Sequence, residues 1–329
     1  MAVSLGVQSC YAGNDTIMKT AFVFPGQGSQ SIGMMSHYAD LSLIQETFHE
    51  ASDILEQDMW SLVNQGPAEA LNQTVNTQPI MLTAGFAVYR AWEMLGGKQP
   101  DYMAGHSLGE YTALVASKAL TFTDALRLVR YRAEVMQDCV PEGVGGMAAI
   151  VGLDDDKVQT ICSESISKSK EESLEPANFN SPGQVVIAGH KHAVQRAMIL
   201  AKERGAKLTA LLPMSIPSHC SLMKPAAERM RSLLETISFQ VPIIPILHNV
   251  DIQPHPDTSS IREILAQQLY RPVRWVETIR AFTSAGVSHV IECGPGKVLT
   301  GLTKRIDTKL NNLSLTDSEI IRRTIDILK

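Results

Sequence analysis

The run Gly105-His106-Ser107-Leu108-Gly109 matches G-x-S-x-G, the pattern that lifts a serine hydroxyl out of a sharp strand-to-helix turn. The chemistry it offers is nucleophilic attack on an acyl carbon by Ser107. Glycines flank such a serine because neighbouring strands crowd the turn. The flanks here suit it: Asp101 to Ala104 reads as a strand leading in, and Glu110 to Lys118 as a helix leading out. The same residues would also fit an ordinary strand-to-helix turn.

A serine hydroxyl is a poor nucleophile until a base takes its proton, and the chain holds nine histidines. His37 and His49 lie in or near an N-terminal helix and read as solvent-facing. His190 and His192 flank a helix start, His255 lies in a Pro-rich loop, and His248 and His289 fall in expected strands. His106 adjoins the serine, but neighbours on a turn point in different directions, so it reads as a pocket residue. His219, in Ile216-Pro217-Ser218-His219-Cys220, lies where the chain leaves one domain for another, a natural place for a cleft. Spacing alone does not choose among them.

Pro25-Gly26-Gln27-Gly28-Ser29-Gln30 follows the first strand and leaves backbone N–H groups open to a ligand. It reads either as half of an oxyanion hole, completed by the amide of Leu108, or as a tight turn. It matches neither G-x-G-x-x-G nor a Walker sequence. Arg132 follows Tyr131 on an expected helix. Its fork could grip a carboxylate through two hydrogen bonds, but surface arginines are common, and by itself the residue reads as a solvated helical charge.

The elements that must position these residues alternate between apolar strands and amphipathic helices, which predicts an α/β fold. Strands are expected at 20–24, 101–104, 243–249 and 289–292, and helices at 41–57, 78–95, 110–118, 123–138, 259–270 and 275–285. Residues 143–212 read differently. A strand at 146–151, a helix at 154–164, a solvated loop at 165–175, strands at 176–179 and 184–188, a helix at 191–203 and a strand at 207–212 follow the β-α-β-β-α-β order of a ferredoxin-like domain. The expected organisation is a catalytic domain over 18–142 and 213–329, with this small domain inserted at 143–212. Residues 1–17 form an extension without the pattern of a signal peptide. It reads either as a disordered tail or as sequence ahead of a start at Met18.

Of 329 residues, 44% are hydrophobic and 19% charged, the composition of a folded globular chain. With Lys plus Arg at 29 and Asp plus Glu at 34, the net charge is −5. That balance gives no bulk electrostatic reason to bind nucleic acid or an anionic membrane. No apolar run is long enough to span a bilayer. The five cysteines, at 10, 139, 162, 220 and 293, show no C-x-x-C or other metal-type spacing, so free thiols in a reducing compartment and no bound metal are expected.

Taken together, FVFPGQGSQ (22–30), GHSLGEY (105–111), YRAEVMQ (131–137), NFNSPGQVVIAGH (178–190), PSHCSLM (217–223), HNVD (248–251), QLYRPVRW (268–275) and ECGPGKVL (292–299) resemble the malonyl-CoA:acyl carrier protein transacylases of bacterial fatty acid synthesis. The likeness runs from Met18 to about Leu328. It implies an α/β-hydrolase-like large domain closed over by the ferredoxin-like one. It implies Ser107 as nucleophile, His219 as general base and then acid, and Gln268 orienting that histidine through its backbone carbonyl. It also implies an oxyanion hole at the amides of Gln27 and Leu108, Arg132 on the malonyl carboxylate, and His106, Asn178 and Asn180 as pocket residues. The substrate would be malonyl-CoA and the partner acyl carrier protein, whose phosphopantetheine receives the acyl group. No permanently bound cofactor, a monomer and a cytoplasmic location are further implications. A related acyltransferase taking another carboxylated extender unit, such as methylmalonyl, would suit Arg132 as well, and two rivals of other classes stand beside this reading. A serine esterase or thioesterase would show an Asp or Glu orienting His219, and a non-catalytic acyl-carrier or CoA-binding protein would carry no acyl group on Ser107.

Overall fold

The computed structural model describes residues 18–166, 172–214 and 216–329. The 1–17 extension lies outside them, as does part of the expected 165–175 loop. Eight strands occur among the described residues: β1 (Lys19–Phe24), β2 (Tyr102–Gly105), β3 (Gly145–Val151), β4 (Leu174–Ser181), β5 (Gln184–His190), β6 (Leu208–Leu211), β7 (Val287–Glu292) and β8 (Asn311–Ser314). They form two sheets, ordered β2-β1-β7-β8 and β4-β5-β3-β6.

The first sheet is parallel throughout. Its central strand, β1, is an apolar run whose last four residues are buried, as expected where helices cover both faces. Alternation along the strand divides the core. Phe22 and Phe24 pack into the larger cluster, where Phe22 meets the Trp92 ring edge-on at 5.1 Å. Ala21 and Val23 pack on the opposite side with Trp275, Ile279 and Phe282. The strand ends at Pro25-Gly26 and β2 ends at Gly105, side by side. The loop over 25–30 and the turn over 105–109 therefore leave the same edge of the sheet.

In the second sheet every neighbouring pair is antiparallel. With helices at Asp155–Ser165 and Lys191–Glu203, it follows the β-α-β-β-α-β order expected from the sequence. Ala148, Ile150, Val185 and Ile187 pack with the helices, while Met147, Val186 and Ala188 pack toward Cys220 of the first domain. In β4 the register slips between Pro176 and Asn178. Beyond the slip, Asn178 and Asn180 line the cleft and Phe179 packs on the helix side. Hydrogen bonds from Phe179 N to Val273 O and from Val273 N to Ala177 O, both 2.9 Å, tie this edge to the segment after Gln268.

Three expectations need correction. Residues 243–249 do not form a strand; they make one isolated bridge, Ile246 to Met103. Pro242 and Pro245 remove N–H donors that a ladder would need, although Pro245 O still accepts from Met103 N at 2.8 Å. The second long helix begins at Thr74 rather than 78. Its first turn is polar, so periodicity misses it, but Asn76 Nδ2 donates to Ala70 O at 2.9 Å and Thr77 Oγ1 to Leu71 O at 2.6 Å. The third concerns the chain end, where β8 and a helix at Ser318–Ile327 were not anticipated. Among the described residues no helix is long and apolar enough to cross a membrane.

Candidate active site

β2 stops at Gly105 and a helix starts at Gly109. Between them Ser107 holds φ = 51°, left-handed backbone that costs a non-glycine residue roughly 1 kcal/mol. The turn closes so tightly that a Cβ on Gly105 would lie 1.8 Å from the Gly109 carbonyl carbon, and one on Gly109 would lie 2.0 Å from Phe24 O. All these neighbours are backbone and cannot turn aside. Gly109→Ala should therefore cost about 3 kcal/mol through overpacking, read as an earlier urea or thermal transition. A wild-type transition would show that the elbow is looser than described.

Asn249 braces the turn from behind. Its Oδ1 accepts from Ser107 N at 2.7 Å and its Nδ2 donates to Gly105 O at 2.6 Å.

His219 sits in the connection that follows β6. Its φ of 65° is also left-handed, and its N–H donates to Leu269 O at 2.8 Å. The ring is 2.8 Å from Ser107 Oγ through Nε2 and 2.7 Å from Gln268 O through Nδ1. A carbonyl only accepts, so Nδ1 carries the proton and Nε2 presents its lone pair to the serine. Burial, aided by the positive charge of Arg132, lowers the His219 pKa from 6.5 to about 3. The ring is a neutral base at physiological pH. Among the described residues no carboxylate orients it; its Nδ1 partner is the neutral Gln268 carbonyl.

Arg132 lies on the Phe122–Cys139 helix and is 2% exposed. Nη1 donates to Gln78 Oε1 at 2.9 Å, and Nη2 to Gln268 Oε1 at 3.1 Å and Ser107 Oγ at 3.4 Å. The guanidinium lies 5.5 Å from the Tyr111 ring centre, and its Nε has no partner. Among the described residues it forms no ion pair with a carboxylate. Burial lowers its pKa, but an arginine stays charged in proteins. A charged, buried fork beside the nucleophile is thus held, among the described residues, by uncharged groups: two side-chain amides, the serine hydroxyl and an aromatic ring.

These groups meet in a cavity of about 160 Å³ lined by Gln27, Ser107, Leu108, Arg132 and His219. His106, Asn178 and Asn180 also line it. His106 Nε2 is 2.8 Å from Asn180 Oδ1, and its ring meets Trp275 edge-on at 5.4 Å. A Cβ on Gly26 would lie 2.4 Å from His106 O and 3.6 Å from Leu108 N, so the turn bearing Gln27 abuts the elbow. Neither the Gln27 nor the Leu108 backbone N–H donates a hydrogen bond among the described residues. Of the site residues that the resemblance implies, all but Gln268 line this cavity, and Gln268 contacts His219 and Arg132 from behind it.

Sequence reasoning missed four residues around it: Gln78, Glu110, His248 and Asn249. Glu110 and the His248-Asn249 pair lay inside matched motifs, the only signal available. His248 is buried outside any strand, with Nδ1 2.7 Å from Glu110 Oε1. Among the described residues no group of three or more His, Cys, Asp or Glu is placed to hold a metal.

The acyl transferase domain family matches residues 21–314. Over 298 residues the chain is 52% identical to the malonyl CoA-acyl carrier protein transacylase of Salmonella typhimurium, covering 90% of this chain and 96% of that protein. The chain belongs to the malonyl CoA-acyl carrier protein transacylase family. The Bacillus subtilis transacylase is similar at 43% identity, with 94% and 98% covered. Among solved transacylases, an acyl-carrier-protein S-malonyltransferase from Burkholderia pseudomallei is 52% identical, with a TM-score of 0.91 and 94% and 100% covered. A malonyl-transacylase solved in complex with a type II PKS acyl-carrier protein is 47% identical, with a TM-score of 0.92 and 94% and 99% covered. The likeness read from the motifs holds, and a parallel sheet with a separate antiparallel sheet matches these transacylase structures.

Proposed function

We propose that the chain moves a malonyl group from malonyl-CoA to the phosphopantetheine thiol of an acyl carrier protein, through a malonyl ester on Ser107. The observation that carries this reading is the guanidinium of Arg132. It stands beside the nucleophile, buried and charged, with no ion pair to a carboxylate among the described residues. An acyl chain ending in a carboxylate supplies the missing anion, and the fork geometry suits two parallel hydrogen bonds.

In the first half-reaction, His219 Nε2 takes the Ser107 proton as Oγ bonds to the thioester carbon. The amides of Gln27 and Leu108 receive the oxyanion, each such donor contributing about 3 kcal/mol. The carbon–sulfur bond breaks, and the thiolate of CoA takes the proton from His219. In the second, the phosphopantetheine thiol gives its proton to His219 and attacks the ester. Ser107 then leaves as alkoxide and is reprotonated. His106, Asn178 and Asn180 shape the pocket. Residues 143–212 act as the small domain that closes over 18–142 and 213–329 and limits access of water. No resident cofactor takes part. A monomeric state and a cytoplasmic location belong to the same reading, tested by sedimentation and fractionation.

The carbonyl partner of His219 favours transfer over the esterase reading, which called for a carboxylate there. Mass spectrometry after mixing with malonyl-CoA tests the proposal. The peptide containing Ser107 should carry a malonyl ester that disappears when holo acyl carrier protein is added, with malonyl appearing on the carrier. Free malonate without transfer would favour a hydrolase, and an unmodified peptide a binding protein.

A further inference from the structure

Behind the cavity lies a carboxylate that the transfer mechanism does not use. Glu110 is fully buried on the first turn of the helix that follows the nucleophile. Its Oε1 receives His248 Nδ1 at 2.7 Å. Its Oε2 receives Asn249 N and Gln268 Nε2, each at 3.0 Å. A buried carboxylate accepts but cannot donate, and three N–H donors converge on this one.

Two of those donors belong to residues that hold the reacting groups. Asn249 clamps the elbow by its bonds to Ser107 N and Gly105 O. Gln268 touches three parts at once. Its carbonyl orients His219, its Oε1 accepts from Arg132, and its Nε2 donates to Ser107 O at 2.9 Å as well as to Glu110. A side-chain amide can be turned end for end. With the carboxylate on one side and the arginine on the other, Gln268 has one satisfiable orientation: nitrogen toward Glu110 and oxygen toward Arg132. Reversal would place an oxygen against a carboxylate and an amide N–H against a guanidinium.

We propose that Glu110 is a positioning residue: its carboxylate fixes the Gln268 amide and the Asn249 loop, and through them the elbow, His219 and Arg132 in one register. The inference deepens the transfer reading, but its test does not need a malonyl group. In Glu110→Gln one neutral acceptor oxygen and one N–H₂ group replace two charged acceptor oxygens, so one oxygen is left for groups that two served, and the charge that orients the Gln268 amide is lost. The dyad then loses register without losing a member.

The probe is phenylmethylsulfonyl fluoride, which is uncharged and makes no demand on Arg132. Ser107 Oγ bonds to sulfur, the S–F bond breaks, fluoride leaves, and His219 takes the serine proton. The rate constant of sulfonylation in folded Glu110→Gln should fall about 100-fold, the scale set by ångström-level misplacement of reacting groups. The kcat of malonyl transfer should fall with it, while KM for malonyl-CoA stays within about threefold. Circular dichroism and a thermal scan fix the folded fraction. Glu110→Asp, which keeps the charge but retracts it, should recover part of the rate, and it carries the same test if Glu110→Gln does not fold. A wild-type sulfonylation rate in either folded variant would overturn the proposal, as would losses that only follow the unfolded fraction. If malonyl transfer is absent from the wild type but sulfonylation still slows in the variant, the transfer reading fails and the positioning role stands.

Discussion

His219→Ala should lower malonyl transfer by about 10⁴-fold, the upper range for removing a general base. The variant leaves Ser107, the two open amides and Arg132 in place, so the loss reports proton transfer rather than binding. Residual turnover is expected, because the Arg132 guanidinium, 3.4 Å from Ser107 Oγ, favours the alkoxide. Single-turnover acylation of Ser107 is the direct measurement. A loss under about tenfold would mean that another base serves the serine.

The pH dependence follows from the same residue. With its pKa lowered from 6.5 to about 3, His219 in the free enzyme stays neutral well below the usual imidazole range. The acid limb of wild-type kcat/KM due to this group therefore falls far below pH 6.5, and His219→Ala should lack it. The sign for stability is the opposite of a stabilising ion pair. Below about pH 6.5 the unfolded chain binds a proton on this histidine that the fold does not. This group therefore makes folding progressively less favourable between pH 6.5 and 3, and contributes nothing to the pH dependence above that window.

Arg132→Ala should lower kcat/KM for malonyl-CoA by about 10³-fold, in line with truncating one partner of a buried, hydrogen-bonded charge pair. Acetyl transfer should fall far less. Arg132→Lys keeps a charge but loses the fork, and should lie between wild type and alanine. Truncation also strands Gln78 Oε1 and Gln268 Oε1, which accept from the guanidinium. A stability cost of about 1–3 kcal/mol is expected for each buried acceptor left bare. The acetyl reaction controls for that, because both donors meet the same perturbed site. A second signature is electrostatic. Arg132 is one of the causes lowering the His219 pKa, so its removal should move the acid limb of acetyl transfer upward. Equal losses for malonyl and acetyl donors would sink the carboxylate role.

The Arg132 helix shows how far the sequence could be read. Six of its nine buried positions, Ala125, Leu128, Val129, Arg132, Ala133 and Met136, follow the three-and-four spacing of a core-facing stripe, and the arginine sits within it. That register is a local signal against a solvated charge, and it was present in the sequence. Its partners were not, since Gln78 and Gln268 come from helices 54 and 136 residues away. The small domain was legible for a similar reason. Its strands are short and alternate, and their order alone gives the ferredoxin-like pattern. The 243–249 segment reads as a strand by hydrophobicity, while Pro245 within it and Pro242 just before it deny it a ladder.

For the site itself, the sequence determined Ser107, its glycine-flanked turn and, through the joint motifs, the family. These depend on local backbone geometry and residue type, which are written consecutively. Residue spacing did not choose among the nine histidines and the resemblance only implied His219 with its carbonyl partner; the tertiary structure brought both to the serine and buried Arg132 with no ion pair to a carboxylate among the described residues. It alone placed Glu110 and Asn249 behind the elbow. Distances of 2.8 Å between residues 112 apart and 3.0 Å between residues 158 apart are set by how the sheet edge and its helices pack, and no local spacing encodes them.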